Sequence, residues 1–272
     1  MSMSMSMTER IMHSTVRIVT TSRNGEGSGT GFFFKFLTQE DGTFFSGIVT
    51  NRHVIENARS IKCVFTIVKN DDLTDLTKHM EVTLFNIQEK IIYHPDADVD
   101  LAVIPSKIFL DRHCGSGESP LVIHLEPDLL LDNASISHLA PIENVSAVGY
   151  PDVLWDEVNN LPLIQSGRTA SDLRKDFNGE KKFIIECSIY PGFSGSPVFL
   201  MDRGSFYHQG ELIAGDRVAL LGINSTVFIN QKSISMLDGN VLTDAPNNLG
   251  IIIKAERILE FEPLIMSNMG IF

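Results

Sequence analysis

Cysteine is scarce in these 272 residues: there are three, at Cys63, Cys114 and Cys187, with no CxxC pair. An odd, unpaired set excludes a disulfide framework and argues against a zinc site. Basic residues are also outnumbered, 22 Lys and Arg against 34 Asp and Glu, which leaves a net charge of −12. Such a chain suits neither nucleic acid nor an anionic membrane as its main partner. No apolar run reaches the ~18 residues of a membrane span. The opening MSMSMSMTER lacks the basic-then-apolar pattern and small-residue cleavage site of a secretory signal, so a cytoplasmic location is expected. The eight histidines contain no HExxH or HxxxH spacing, which removes the metallopeptidase class; neither metal nor cofactor is expected. Helical periodicity is nearly missing too. It surfaces only where Ile258, Leu259 and Phe261 fall in a short segment closed by Pro263.

What fills the chain instead is a succession of short β-rich runs. They begin at Ser14, after a Met/Ser repeat that reads as a disordered tail over residues 1–12. Val16 to Thr20, Gly31 to Phe36 and Thr43 to Thr50 read as strands, the last two joined through an Asp41-Gly42 turn. Further strands are expected at 61–68, 81–87, 89–94 and 101–105. Residues 106–134 are irregular, and a second set follows at 144–149, 162–169, 182–188, 197–201, 211–229 and 249–254. Many short strands with turn signals and little helix imply an all-β architecture, repeated twice. The expected divisions are a first β-barrel over 13–125, a second over 126–262, and a C-terminal tail over 263–272.

One stretch organises the functional reading, Ile189 to Phe199, with the sequence IYPGFSGSPVF. Two glycines flank Phe193-Ser194 and permit a sharp turn that most residues could not follow. Such a turn can present the Ser194 hydroxyl while the N–H groups of Gly192 and Ser194 face one point, which suits a nucleophile beside oxyanion donors. A plain Gly/Ser/Pro turn between strands is the alternative. Two other residues bear on the choice. His53 follows the apolar run Ile48-Val49-Thr50, and Asp100 precedes the apolar run Leu101 to Ile104. Singly, these read as a surface histidine and a strand-start cap. Together with Ser194 they form a His…Asp…Ser series.

On these motifs the chain resembles the trypsin-like serine peptidases, in particular the bacterial Deg-like single-domain type. Gly27-Ser28-Gly29-Thr30-Gly31-Phe32 resembles the family's GSGxGF strand, and Thr50 to Val54 its TxxHV histidine motif. Asp100 to Val103 resembles the D-[LV]-A-[VL] motif, and Pro191 to Val198 the GNSGGPV serine motif. Leu221 to Ser225 is similar to the LGIN[ST] strand, and Gly250 to Ile253 to the strand that closes the pocket. The resemblance implies two packed antiparallel six-stranded β-barrels of chymotrypsin-like type with a short C-terminal helix. It implies a catalytic set of His53, Asp100 and Ser194, an oxyanion hole at Gly192, Phe193 and Ser194, and a protein or peptide substrate. The substrate pocket would involve Ser188 at its base and Ile223, Asn224, Ser225, Gly250 and Ile251 in its walls. A neutral Ser188 favours cleavage after small or medium apolar residues, with Glu186 the one nearby charge.

Two departures stand out: Phe193 replaces a small polar residue and Ser196 replaces a second glycine. Phe193 could shield or obstruct the loop. The rival readings are a catalytically silent or gated peptide-binding module on the same fold, and an esterase using the same three residues. A regulatory protein partner stays open.

Overall fold

The computed structural model describes the chain except residues 1–4, 71, 112–114, 116, 153, 237–238 and 269–272, and gives side-chain environments outside 227–247. Cys114 thus lies outside the described residues. The first unit holds eight strands: β1 (Thr15–Ser22), β2 (Gly25–Phe36), β3 (Phe45–Thr50), β4 (Ser60–Lys69), β5 (His79–Phe85), β6 (Ile92–Tyr93), β7 (Ala102–Pro105) and β8 (Glu118–Pro120). They pair antiparallel in the order β5-β4-β1-β2-β3-β7-β6, with β8 on β4. Among the described residues this unit thus pairs eight strands, two more than the six expected, within the all-β architecture that was expected. The second unit contains β9 (Asn144–Gly149), β10 (Leu163–Thr169), β11 (Lys182–Glu186) and β12 (Pro197–Asp202). A small hairpin follows, β13 (Ser205–His208) with β14 (Glu211–Ala214), and then the long pair β15 (Arg217–Met236) and β16 (Gly239–Lys254). Strands β10-β11-β16-β15-β12-β9 close a six-stranded barrel.

Period-two alternation sorts the apolar residues into three cores. In β2, Phe33 faces the interior of the first unit with Ile18, Ile48, Phe65 and Phe109. Its neighbours Phe32, Phe34 and Phe36 face the other way, into a core shared with Val148, Phe199, Leu220 and Ile253 of the second unit. A third core fills the closed barrel, with Val145, Ala147, Phe183, Val198 and Ile252. Each fully buried Phe of the shared core contributes about 1.5–3 kcal/mol relative to exposure. The two units are held against each other by the same physics that holds each one together.

The chain ends differ from expectation. The helix α1 (Met7–His13) occupies the second half of the segment read as a disordered tail. A capping box stabilises it, with the Ser6 hydroxyl accepting from Glu9 N–H and the Glu9 carboxylate accepting from Ser6 N–H. Its Ile11 is buried in the shared core. Three short helices lie along the chain, α2 (Arg52–Ile55), α3 (Lys107–Leu110) and α4 (Asn133–Ser137), before the terminal α5 (Glu262–Asn268). Pro263 does not close a helix. It sits in the first turn of α5, where its missing N–H costs nothing. Ile258, Phe261 and Ile265 then dock into the shared core, so the region read as a C-terminal tail from 263 is partly packed. Strand β15 also runs past the expected end at 229, pairing with β16 as far as Met236 opposite Gly239.

Candidate active site

Strand β3 is apolar and buried to Thr50, after which the chain turns sharply into the single turn of α2. Asn51 holds that turn to the neighbouring segment, its Nδ2 donating to Asp100 O at 2.8 Å. The turn delivers His53 to the carboxylate of Asp100, which stands just before β7. His53 N–H donates to Asp100 Oδ1 at 3.0 Å, and His53 Nδ1 lies 2.7 Å from Oδ2. An ionised carboxylate only accepts, so Nδ1 carries the proton and Nε2 is the ring's open nitrogen. The Ser225 hydroxyl, from β15 of the second unit, donates to the same Oδ2 at 2.8 Å. Burial by itself pushes the Asp100 carboxyl up. The hydrogen bond and charge of the His53 ring, the His53 N–H and the Ser225 hydroxyl outweigh it, leaving the carboxyl below its ordinary value.

Ser194 comes from the loop between β11 and β12. Its hydroxyl is half-buried and donates to Ser225 O at 3.4 Å. Ser225 thus touches both Asp100 and Ser194, bringing the three expected residues to one place where the units meet. Gly29 marks the same junction. A Cβ built there would lie 2.7 Å from Val54 Cγ1 and 3.2 Å from Ser194 O.

The loop is fixed peptide by peptide. Asp152 N–H holds Pro191 O at 2.9 Å, and the Thr30 hydroxyl holds Gly192 O at 2.9 Å. Phe193 O accepts from Asn224 Nδ2 and from Ser196 N–H, both at 3.0 Å. Thr30 N–H holds Ser194 O at 2.8 Å, and Gly195 N–H donates to Asn224 O at 2.9 Å. Among the described residues, the N–H groups of Gly192 and Ser194 have no acceptor. In a trans peptide the N–H points opposite the C=O, so the held carbonyls aim these two donors away from the protein's own acceptors. Phe193, expected between them in the oxyanion hole, contributes no donor, because its N–H is bonded to Tyr190 O at 3.1 Å. Its ring is fully buried in the closed barrel and neither shields nor blocks the loop. Ser196 is likewise fully buried, with no partner for its hydroxyl among the described residues.

The expected pocket residues divide. Asn224 is 1% exposed, and its Oδ1 has no hydrogen-bond partner among the described residues. That oxygen lies 3.2 Å from where a Gly250 Cβ would be, and Ile189 Cδ1 lies 2.5 Å from the same point, so Asn224, Gly250 and Ile189 converge. Ser188 is half-buried and Ile251 is half-buried opposite Thr226 and Ile184. Ile223 does not join them. Alternation along β15 turns it into the shared core, where it is fully buried. Glu186 is exposed on β11 opposite Leu249.

Sequence reasoning assigned no part to Ser28, Thr30, Tyr150 or Asp152, although Ser28 and Thr30 lie in a stretch noticed as motif-like. Thr30 is fully buried, and its hydroxyl also accepts from Tyr150 N–H at 2.9 Å. The Ser28 hydroxyl donates to Asp152 Oδ1. A recess of about 300 Å³ beside His53 is lined by Ser28, Val54 and Ala58 among others. Among the described residues no group of three or more His, Cys, Asp or Glu is placed to hold a metal. No described helix is long and apolar enough to cross a membrane.

A family model described as the trypsin-like peptidase domain matches residues 29–207. No curated protein sequence matches the chain. Among solved structures, similarity is found to the HtrA-type protease AlgW with a tripeptide, at TM-score 0.52 and 15% identity. That match covers 96% of this chain and 62% of that one. A serine endoprotease from Yersinia pestis matches at TM-score 0.47 and 15% identity, covering 98% of this chain and 69% of that one. At these identities the likeness is one of fold.

Proposed function

The chain belongs to the trypsin-like peptidase family and has its chymotrypsin-like fold, and from that premise we propose that it is a serine endopeptidase acting through His53, Asp100 and Ser194. The observation that carries the proposal is the Asp100 carboxylate, which gathers His53 Nδ1 from one unit and the Ser225 hydroxyl from the other, while Ser194 donates to Ser225 O. His53 Nε2 takes the Ser194 proton as Oγ attacks a peptide carbonyl, and returns it to the leaving amine. Asp100 holds the ring in the required tautomer and stabilises its cation without accepting the proton. The N–H groups of Gly192 and Ser194 receive the oxyanion. Water then hydrolyses the acyl-enzyme, with His53 again as base.

The substrate backbone adds to β15 at Asn224-Ser225, which gives affinity with little sequence choice. The cleaved side chain enters between Ser188 and the cluster of Ile189, Asn224 and Gly250. Narrowing by Ile189 favours small or medium apolar side chains there, with discrimination of ~1–3 kcal/mol per methylene.

A gated or silent peptide-binding module is the second reading. It is favoured by one observation, that the Ser194 hydroxyl bonds Ser225 O and not His53. Such contacts are often long before substrate binds and shorten in the Michaelis complex. Labelling with a fluorophosphonate probe separates the two. Covalent labelling of wild type, lost in Ser194→Ala, supports the peptidase. Peptide binding with no label and no cleavage supports the module.

A further inference from the structure

We propose that two hydroxyls of β2, those of Thr30 and Ser28, are positioning residues through which the first unit holds the oxyanion loop of the second in its working geometry. The inference rests on the peptidase reading above. It starts from Gly192, whose φ of +96° places it in the left-handed region. Glycine is the least restricted of residues, so its own backbone preference does not decide which way the peptides on either side of it face. External bonds must decide it.

Two carbonyls set that choice, and both are controlled from β2. The Gly192 carbonyl is held directly by the Thr30 hydroxyl, which also receives Tyr150 N–H and so has its rotation fixed. The Pro191 carbonyl is held by Asp152 N–H, and the Asp152 carboxylate is in turn held by the Ser28 hydroxyl. Thr30 is anchored independently of these bonds, its N–H on Ser194 O and its carbonyl on the Thr50 hydroxyl at 2.8 Å. Two glycine backbones approach Thr30 closely. A Cβ at Gly149 would fall 2.8 Å from Thr30 Oγ1, and one at Gly195 would fall 2.1 Å from Thr30 O. With the Thr30 hydroxyl removed, Gly192 O and Tyr150 N–H are both left buried without their partner. The Gly192–Phe193 peptide, which lies between the two peptides that carry the Gly192 and Ser194 N–H groups, is then free to turn toward another donor, and the backbone angles at Gly192 and Phe193 that aim those two donors change with it.

The prediction separates chemistry from binding. Thr30→Val keeps the shape and removes the hydroxyl, while Thr30→Ser restores the hydroxyl without the methyl. On any peptide that wild type cleaves, Thr30→Val should lower kcat roughly 30- to 300-fold, somewhat less than the roughly 10²- to 10³-fold that follows loss of an oxyanion donor itself, with KM within about threefold. A peptide aldehyde, whose hemiacetal oxygen occupies the same donors, should lose affinity by a similar factor. Thr30→Ser should stay within about fivefold of wild type in both readouts. Ser28→Ala, an exposed and indirect contact, should lower kcat about three- to tenfold, as expected for one modest hydrogen bond. Folded Thr30→Val with wild-type kcat overturns the proposal, as does a loss in Thr30→Ser equal to that in Thr30→Val. If Thr30→Val does not fold, a folded Ser28→Ala with unchanged kcat and aldehyde affinity overturns it. Failure of the underlying peptidase reading looks different: wild type itself then neither cleaves nor takes the fluorophosphonate label.

Discussion

Gly192→Ala concentrates the loop geometry into one methyl group. A Cβ at this position would stand 2.4 Å from Tyr150 O, 2.7 Å from Asp152 N and 2.8 Å from Asp152 Oδ1. The first two are backbone atoms in the very segment that holds Pro191 O, so they cannot step aside without releasing it. Separating the methyl from Tyr150 O to ordinary contact needs a displacement of roughly 1 Å, a misplacement that can cost on the order of 10²-fold in rate. The φ of +96° adds strain for any residue bearing a Cβ, about 1–2 kcal/mol. Both effects favour rotation of the Pro191–Gly192 peptide, which removes the Gly192 N–H from the oxyanion. Loss of one such donor is worth about 3–4 kcal/mol in the transition state, or 10²- to 10³-fold in kcat. The assay is steady-state cleavage of a peptide that wild type hydrolyses, with fluorophosphonate labelling rate as a second readout and thermal unfolding as a fold control. KM should change little, since the ground-state carbonyl depends less on the donors. A folded Gly192→Ala with kcat within threefold of wild type would refute the reasoning.

Asp100→Asn should lower kcat about 10⁴-fold with little loss of fold, because the amide no longer fixes Nδ1 as the protonated nitrogen; activity within tenfold of wild type in a purified sample counts against the assignment. Combining it with Ser194→Ala should give no further loss, since the residues act as a unit. Asn224→Asp replaces the Nδ2 donor that holds Phe193 O by an acceptor at a site 1% exposed. It should lower kcat by at least roughly tenfold, from the 1–3 kcal/mol of an unsatisfied buried carbonyl, and lower the unfolding midpoint as well. The acid limb of stability should carry the mark of His124, whose imidazole is pushed down to about 4 by burial and, to a smaller degree, by the charge of Lys35. The unfolded chain binds a proton near pH 6.5 that the folded one refuses, so this contribution is complete above 6.5 and is lost as pH falls toward 4. Urea midpoints of wild type and His124→Gln measured across that window should converge on acidification; parallel profiles would count against it.

The side chains proposed to act in the site were the ones the sequence singled out, because chemistry restricts which residue types can serve. A histidine after one apolar run, an aspartate before another and a serine between glycines are few enough to be found and ordered. The strands were legible for a related reason, since alternation in β2 assigns Phe33 to one core and Phe32, Phe34 and Phe36 to another. Where alternation and motif competed, the motif misled. Ile223 sits in a motif-like stretch, yet the strand period sends it to the shared core and leaves Asn224 to face Phe193 O. The N-terminal helix was missed although Ser6-Met7-Thr8-Glu9 spells a capping box, because the Met/Ser repeat around it hid a four-residue signal. Pro263 was read as a stop, when proline at the first turn is a start.

The loop around Ser194 shows why the rest was out of reach. Its donors are backbone N–H groups, which every residue but proline carries, so residue identity does not announce them. What makes two of them useful is that the other peptides of the loop are held. The bonds that do this join residues far apart in sequence, Thr30 to Gly192 across 162 positions and Asn224 to Phe193 across 31. Phe193 illustrates the point in reverse. As a residue type it suggests obstruction, but its buried ring anchors the loop in the closed barrel while its N–H is turned onto Tyr190. The same ring on a loop without that core beneath it would do the opposite. The role proposed for this serine therefore depends on a packing relation between the two units, one that the local motif contains only as a set of permitted residues.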